Sequence, residues 1–467
     1  MIKRPNIVFV MTDQQRLDSV GAYGSPYGAT PNLDRLASSS VVFDRYYAAC
    51  PLCVPTRCAI ATGRFPHANG AIVNRNPDGG LGPAEKTLPE CLDEAGYVQA
   101  HIGVHHISAT PPLEERVPFE RFVTRTDFNQ YLAAKGLEPF DLSPYQTTVA
   151  EHTRDGIVHV PWFSGPWPGV YPYPREDFLD AFWAREAVAA LKAMPTDRPY
   201  ALYCYFWAPH SPFINPKPYD TMYDPEDIEL PPNTMSPLHE PRHLNHLPGA
   251  VAALQPDLDG WRRSWAAYLG LVKLVDECIG EVLDAVESRA GAGDTIIVFT
   301  PDHGEQLGSQ SLFQKMNMYQ ESIHLPMMIS APGNTGGRRN QLVSQVDLLP
   351  TLLDYAGIQP QEGIQGTSLR SIVEDATTPG PAHVYCEYNG NIAITFPQRA
   401  IITDRYKLIL GEGPSYELYD LQSDPYELHN LADDPRYEGV RQDLTRHLVA
   451  WMKETKDDIL PMPSVGD

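Results

Sequence analysis

Three apolar runs that each stop at a polar cluster constrain this chain more than any other feature. Ile7 to Met11 ends in Thr12-Asp13-Gln14, Pro199 to Phe206 ends in Trp207-Ala208-Pro209-His210, and Thr295 to Thr300 ends in Pro301-Asp302-His303. The runs are rich in β-branched and aromatic residues and have the length of strands buried on both faces of a parallel sheet. In open sheets of that kind, polar groups just beyond the carboxyl ends of strands line the ligand crevice. Helical patterns lie between the runs. Phe178 to Met194 is amphipathic, Trp261 to Ala290 reads as one long helix, and Thr30-Pro31 opens a helix through Ala37. Strands alternating with helices predict an α/β fold with a large, mostly parallel sheet flanked by helices.

Val41 to Phe43, Val98 to Ile102 and Leu325 to Ser330 supply further strands, and Val346 to Leu353 a further helix. The stretches 111–173 and 214–256 are rich in Pro and lack a sustained period, which predicts loops and short helices roofing a site. Near residue 375 the composition shifts to Thr, Pro and Gly, placing a boundary between a domain of residues 1–375 and a C-terminal subdomain of residues 376–467. The latter shows short antiparallel-type strands and a final amphipathic helix through Trp451. A length of 467 residues suits one large domain with a smaller companion.

Charge narrows the function. With 36 basic against 59 acidic side chains, the formal net charge is -23, which argues against nucleic acid or an anionic membrane as partner. A small anionic ligand stays open, provided that cationic groups are concentrated in its pocket. The five-residue apolar run after Met1-Ile2-Lys3-Arg4-Pro5-Asn6 is too short for a signal peptide core, and seven thinly spread cysteines form no disulfide framework. Both features lead us to expect a cytoplasmic protein.

One of those cysteines stands out. In Cys50-Pro51-Leu52-Cys53-Val54-Pro55-Thr56-Arg57, Cys53 falls where a helix starts, and free N–H groups at a helix start favour anions. The spacing Cys53-x-Pro55-x-Arg57, with Thr62-Gly63-Arg64 following, resembles the signature of the type I sulfatases, members of the alkaline-phosphatase-like superfamily. The other family segments occur in the same order: Asp13-Gln14, Gly103-x-x-His106, Pro209-His210-Ser211-Pro212-Phe213, Asp302-His303 and Lys315. The chain departs from the family in Gln14, where many members carry a second aspartate, and in Val104, where they commonly carry lysine. His105 is additional, and its role stays open.

The resemblance implies an alkaline-phosphatase-like fold and hydrolysis of a sulfate ester. Cys53 would be oxidised to formylglycine by a formylglycine-generating enzyme, and one hydroxyl of the hydrated aldehyde would attack sulfur. Asp13, Gln14, Asp302, His303 and the residue at 53 would bind one divalent cation. Oxygen donors make calcium the first expectation, and Gln14 with the His303 imidazole make manganese the second. Arg57 would stabilise the hydrate, Lys315 and His106 would bind anionic oxygens, and His210 would protonate the leaving alcohol. The substrate is expected to be a small anionic ester, with neither nucleic acid nor membrane as partner; a homo-oligomer stays open. Two other readings stand beside this one. A phosphonate monoester or phosphodiester hydrolase of the same superfamily would share the nucleophile and lack the lysine at 104. A non-catalytic anion-binding protein would keep Cys53 as a thiol.

Overall fold

The computed structural model describes residues 4–76, 79–153, 156–236, 256–334, 336–413 and 415–463. The strands in chain order are β1 Asn6–Thr12, β2 Val41–Tyr47, β3 Val98–Gly103, β4 Arg121–Val123, β5 Gln146–Thr153, β6 Gly156–Ser164, β7 Pro168–Val170, β8 Tyr200–Tyr205 and β9 Phe213–Asn215. They continue as β10 Thr295–Pro301, β11 His324–Ser330, β12 Gly337–Ser344, β13 His383–Tyr388, β14 Gln398–Thr403, β15 Tyr406–Gly411 and β16 Ser415–Asp420.

Eight of them form the main sheet in the order β12-β2-β11-β10-β1-β8-β3-β4. The centre, β10-β1-β8-β3, is parallel throughout. β11 alone runs antiparallel, between β10 and β2. β1 and β10 are buried along nearly their whole length, as their unbroken apolar runs require when helices cover both faces. Helices Leu179–Ala193 and Leu258–Glu287 pack against one another beside this sheet. Trp183 and Trp261 are fully buried within them. The longer helix is capped by the Asp257 side chain, which accepts from the Gly260 N–H at 2.7 Å.

The α/β architecture with a smaller C-terminal part is therefore as expected. β13 to β16 form a second, antiparallel sheet against which helix Glu438–Thr455 packs. The stretch 111–173 departs from expectation. Arg121–Val123 extends the main sheet at its edge beside β3, and β5 with β6 forms a hairpin. β6 leaves Ile157, Val158 and Trp162 exposed, so apolar alternation is weak there, although Asp155-Gly156 is a hairpin-turn pair by sequence. β12 also goes beyond the sequence reading. Residues 237–255, part of the stretch expected to be a loop, lie outside the described residues. No helix among the described residues is long and apolar enough to cross a membrane.

One ionic cluster ties the two sheets' surroundings together. The His67 imidazole pairs through Nδ1 with Glu387 of β13, and Arg399 of β14 pairs with Asp457 beyond the last helix. Burial opposes a charge on His67, but the Glu387 carboxylate outweighs it, so the imidazole pKa is raised. Asp457 adds to that effect and Arg399 opposes it. A group whose folded pKa is raised stabilises fully below its unfolded value of about 6.5 and loses that contribution as pH rises through the folded value. Urea unfolding from pH 6 to 9 is expected to show stability falling with pH, with a shallower slope in His67→Gln.

Candidate active site

The four central parallel strands end side by side, and each hands its next residues to the same crevice. β1 delivers Asp13 and Gln14, β10 delivers Asp302 and His303, β3 delivers Val104 to His106, and β8 leads through Trp207 to His210. Gly103 closes β3 with φ 113°, and an added Cβ there would run into the Tyr205 carbonyl oxygen. Only glycine permits that close approach of β3 to β8. Facing these ends is helix Cys53–Thr62, buried on nearly all sides, with Cys53 at its first position. Gly63 ends it at φ 65°, its N–H bonded to the Ala59 oxygen at 2.8 Å.

The structure brings Cys53, Asp13, Asp302 and His303 together. One ligand atom from each lies within 4.8 Å of the others. Cys53 Sγ is 3.1 Å from His303 Nε2 and 4.0 Å from Asp13 Oδ1. The opposite ring nitrogen, His303 Nδ1, is 2.9 Å from the Gly304 carbonyl oxygen, which places its proton on Nδ1 and leaves Nε2 facing the cluster as an acceptor. Burial lowers the His303 pKa to about 3, so the ring is neutral. Asp13 is pushed up to about 7 by burial and then by Asp302. Asp302 stays below the ordinary carboxylate range despite its burial, held there by His303, Arg57 and Lys315. The Cys53 thiol is pushed up to about 12, by burial first and by Asp13 second.

Arg57 lies one helical turn beyond Cys53 and joins the two carboxylates. Its Nη2 donates to Asp13 Oδ2 at 2.8 Å and its Nε to Asp302 Oδ2 at 2.9 Å. Its Nη1 donates to the Val104 carbonyl oxygen, and its guanidinium lies 5.7 Å from the Tyr205 ring centre. Arg57 thus grips the carboxylates from behind. Position 104 contributes to that grip through its main chain, a role that no reading of side chains could find.

Gln14 has left-handed backbone, φ 65°. Its N–H donates to Asp302 Oδ1 at 3.0 Å, its Nε2 donates to Glu305, and its Oε1 accepts from Lys315 Nζ at 2.6 Å. Lys315 Nζ also lies 2.8 Å from His210 Nε2, while His210 Nδ1 is 2.5 Å from the Ser211 carbonyl oxygen. Burial, and then Lys315, hold His210 well below its ordinary pKa. His106 has φ 48°, its pKa is lowered well below the ordinary value by burial and then Arg57, and its Nδ1 is buried with no hydrogen-bond partner among the described residues. His105 is occupied locally, its Nδ1 accepting from the Ile107 N–H at 3.0 Å.

Two residues with buried side chains support this arrangement and carry no sequence motif. Glu305 accepts from the Leu307 N–H at 2.8 Å as well as from Gln14 and the Gln314 N–H. Gln345 donates to the Asp302 carbonyl oxygen at 2.6 Å and accepts from the Ala49 N–H at 2.9 Å. Glu305 was visible in sequence only as the neighbour of Asp302-His303-Gly304.

A mostly parallel sheet whose central strand ends gather carboxylates, imidazoles and a helix-start cysteine defines a hydrolase of the alkaline-phosphatase-like class. A family model described as Sulfatase matches residues 5–358, and one described as N-sulphoglucosamine sulphohydrolase, C-terminal, matches residues 308–454. The chain belongs to the sulfatase family, and its reaction is the hydrolysis of sulfuric esters. It is 27% identical over 480 residues to an arylsulfatase of Clostridium perfringens, covering 97% of this chain and 95% of the relative. It is 29% identical over 448 residues to a choline-sulfatase of Rhizobium meliloti, covering 93% and 83%. A solved 2-O GAG sulfatase superposes with a TM-score of 0.73 at 25% identity, covering 98% of this chain and 93% of that one. The phosphonate monoester hydrolase of Silicibacter pomeroyi shares the fold, with a TM-score of 0.80 at 24% identity and coverage of 99% and 98%.

Proposed function

We propose that the chain cleaves sulfate esters with a formylglycine made from Cys53 and one divalent cation held by Asp13, Gln14, Asp302, His303 and the residue at 53. The observation that carries this reading is the convergence of ligand atoms from Asp13, Cys53, Asp302 and His303 within 4.8 Å in a buried crevice. The donor set fits a cation: two carboxylates and a neutral imidazole with Nε2 turned inward converge, while Arg57 binds the carboxylates from behind. Calcium suits the oxygen donors, and manganese also accepts the imidazole. When present, the cation supplies Lewis acidity and positive charge for the anionic ester, and the hydrated formylglycine supplies the attacking oxygen.

The chain's own residues do the rest. Arg57 fixes both carboxylates in one orientation, and the start of helix Cys53–Thr62 favours negative charge next to position 53. His106, which is only partly buried, would meet an oxygen of the ester. The Lys315 ammonium shares a proton with His210 Nε2, so this pair stores the proton that the departing alcohol needs, and His210 is the residue that passes it on. Lys315 also offsets charge on the sulfuryl oxygens.

A second reading, hydrolysis of a phosphodiester or phosphonate monoester, is favoured by the apolar side chain at Val104. All three esters bear one negative charge, so the pocket's net charge does not separate them. One preparation tests both readings. In protein made beside a formylglycine-generating enzyme, intact mass is expected to fall by about 18 Da with the change confined to the Cys53 peptide. A chelator is expected to abolish turnover, and calcium or manganese to restore it. Rates on an aryl sulfate, a bis-aryl phosphate and a phenyl phosphonate then decide the element attacked; a diester preference of about a hundredfold or more would reverse the ranking.

A further inference from the structure

Beside His210 lies an apolar cavity of about 120 Å³, walled by Phe128, Phe140, Tyr171, Phe178 and Trp207. The same His210 imidazole that meets Lys315 also lines this cavity. Trp207 connects the two regions. Its ring centre is 4.3 Å from that of His210 and 6.2 Å from that of His106. Its main-chain N–H donates to buried Asp180 at 2.7 Å, which fixes the indole's base. The rest of the wall comes from the aperiodic stretch 111–173, mainly helix Arg125–Ala134 and the segment through Tyr171.

The lining selects among alcohols. Among the described residues no carboxylate lines the cavity, and the exposed Arg125 guanidinium stands 5.1 Å from the Trp207 ring centre at its edge. A cationic alcohol therefore meets a like charge at the rim, and only the ring faces are left to attract it. A sugar fares little better. The Tyr171 hydroxyl is spent on the Asp177 carbonyl oxygen at 2.9 Å, leaving Asn129 and Arg125 as side-chain partners for several hydroxyls. The volume is close to the roughly 150 Å³ of an apolar cavity known to accept one benzene ring.

We infer that this cavity receives an uncharged aromatic or similarly sized apolar group on the alcohol of the ester, seated against Trp207. This rests on the proposed placing of the leaving alcohol at His210. Trp207 then acts as a positioning residue, because a ring packed on it also braces the His210 imidazole.

The test uses four alkyl sulfates, ethyl, phenethyl, choline and N-acetylglucosamine 6-sulfate, with each rate referred to the acidity of its alcohol. Sulfate release from the matured protein is expected to show kcat/KM at least about tenfold higher for phenethyl sulfate than for the others. Phe140→Ala should remove that preference through KM, and Asn129→Trp, which adds bulk from an exposed position, should do the same while ethyl sulfate is cleaved as before. Binding of 2-phenylethanol, followed by ligand-observed NMR, should weaken in both variants. A preference for choline or sugar sulfate, or variants that slow every ester equally, would overturn the inference while leaving sulfate ester hydrolysis intact. Absence of sulfate release from all four, with 2-phenylethanol still bound in a Phe140-dependent way, would sink the proposed chemistry and uphold the cavity.

Discussion

Cys53→Ala, made beside a formylglycine-generating enzyme, is expected to lose turnover by a factor on the order of 10⁶, as when an enzyme loses its nucleophile. The fold should barely change. Cys53 occupies the first position of helix Cys53–Thr62, where alanine is a good helix former, and its Sγ makes no hydrogen bond closer than 3.1 Å. The thermal midpoint should therefore stay within about 1 °C of the parent, which corresponds to roughly 1 kcal/mol in a chain of this size. Cys53→Ser separates two explanations of the loss. A serine retains an oxygen for a cation but cannot become an aldehyde unless the maturation enzyme accepts serine, so the intact mass must accompany the rate. Residual turnover in a serine variant of unchanged mass would show that the residue at 53 need only ligate, and the nucleophile would have to be sought elsewhere.

Arg57→Met should have the largest effect on stability. Arg57 is fully buried and balances Asp13 and Asp302, both also fully buried. Removing one partner from a buried pair costs about 3–5 kcal/mol, because the remaining charge is left without compensation, and here two carboxylates are left facing each other. In chelator the variant is expected to unfold well below the parent. A divalent cation that binds between the two carboxylates would replace the lost charge, so saturating calcium or manganese should recover a large part of the deficit, more than it adds to the parent. Urea unfolding with and without cation checks this. If the variant's deficit is the same with and without metal, the carboxylates do not form a cation site.

The sequence revealed the fold through its most buried elements. β1, β8 and β10 carry unbroken apolar runs because they lie at the centre of a parallel sheet covered on both faces, where neither face of a strand meets solvent. β4 and the hairpin β5–β6 sit at the edge and outside the sheet, where many side chains meet solvent and the pattern fades. β12 begins with exposed Gly337-Arg338 at the far edge and was hidden for the same reason.

The site divides in a similar way. Residues that meet at strand ends, such as Asp13, His210 and Asp302, can be inferred because strand order converts sequence position into place. Arg57's hold on the carboxylates, Glu305's on Gln14 and Gln345's on the Asp302 carbonyl depend on how a helix and two loops dock against those ends. No local pattern encodes that docking. The roof above them, including the apolar wall around Trp207, was legible only as a stretch without periodicity.

The contact between Arg57 and the Val104 carbonyl has an evolutionary consequence. Because that residue holds the arginine through its backbone, its side chain can be exchanged without loosening the carboxylates beneath. Position 104 thus joins two separable parts, a main-chain oxygen that the site depends on and a side chain that it does not.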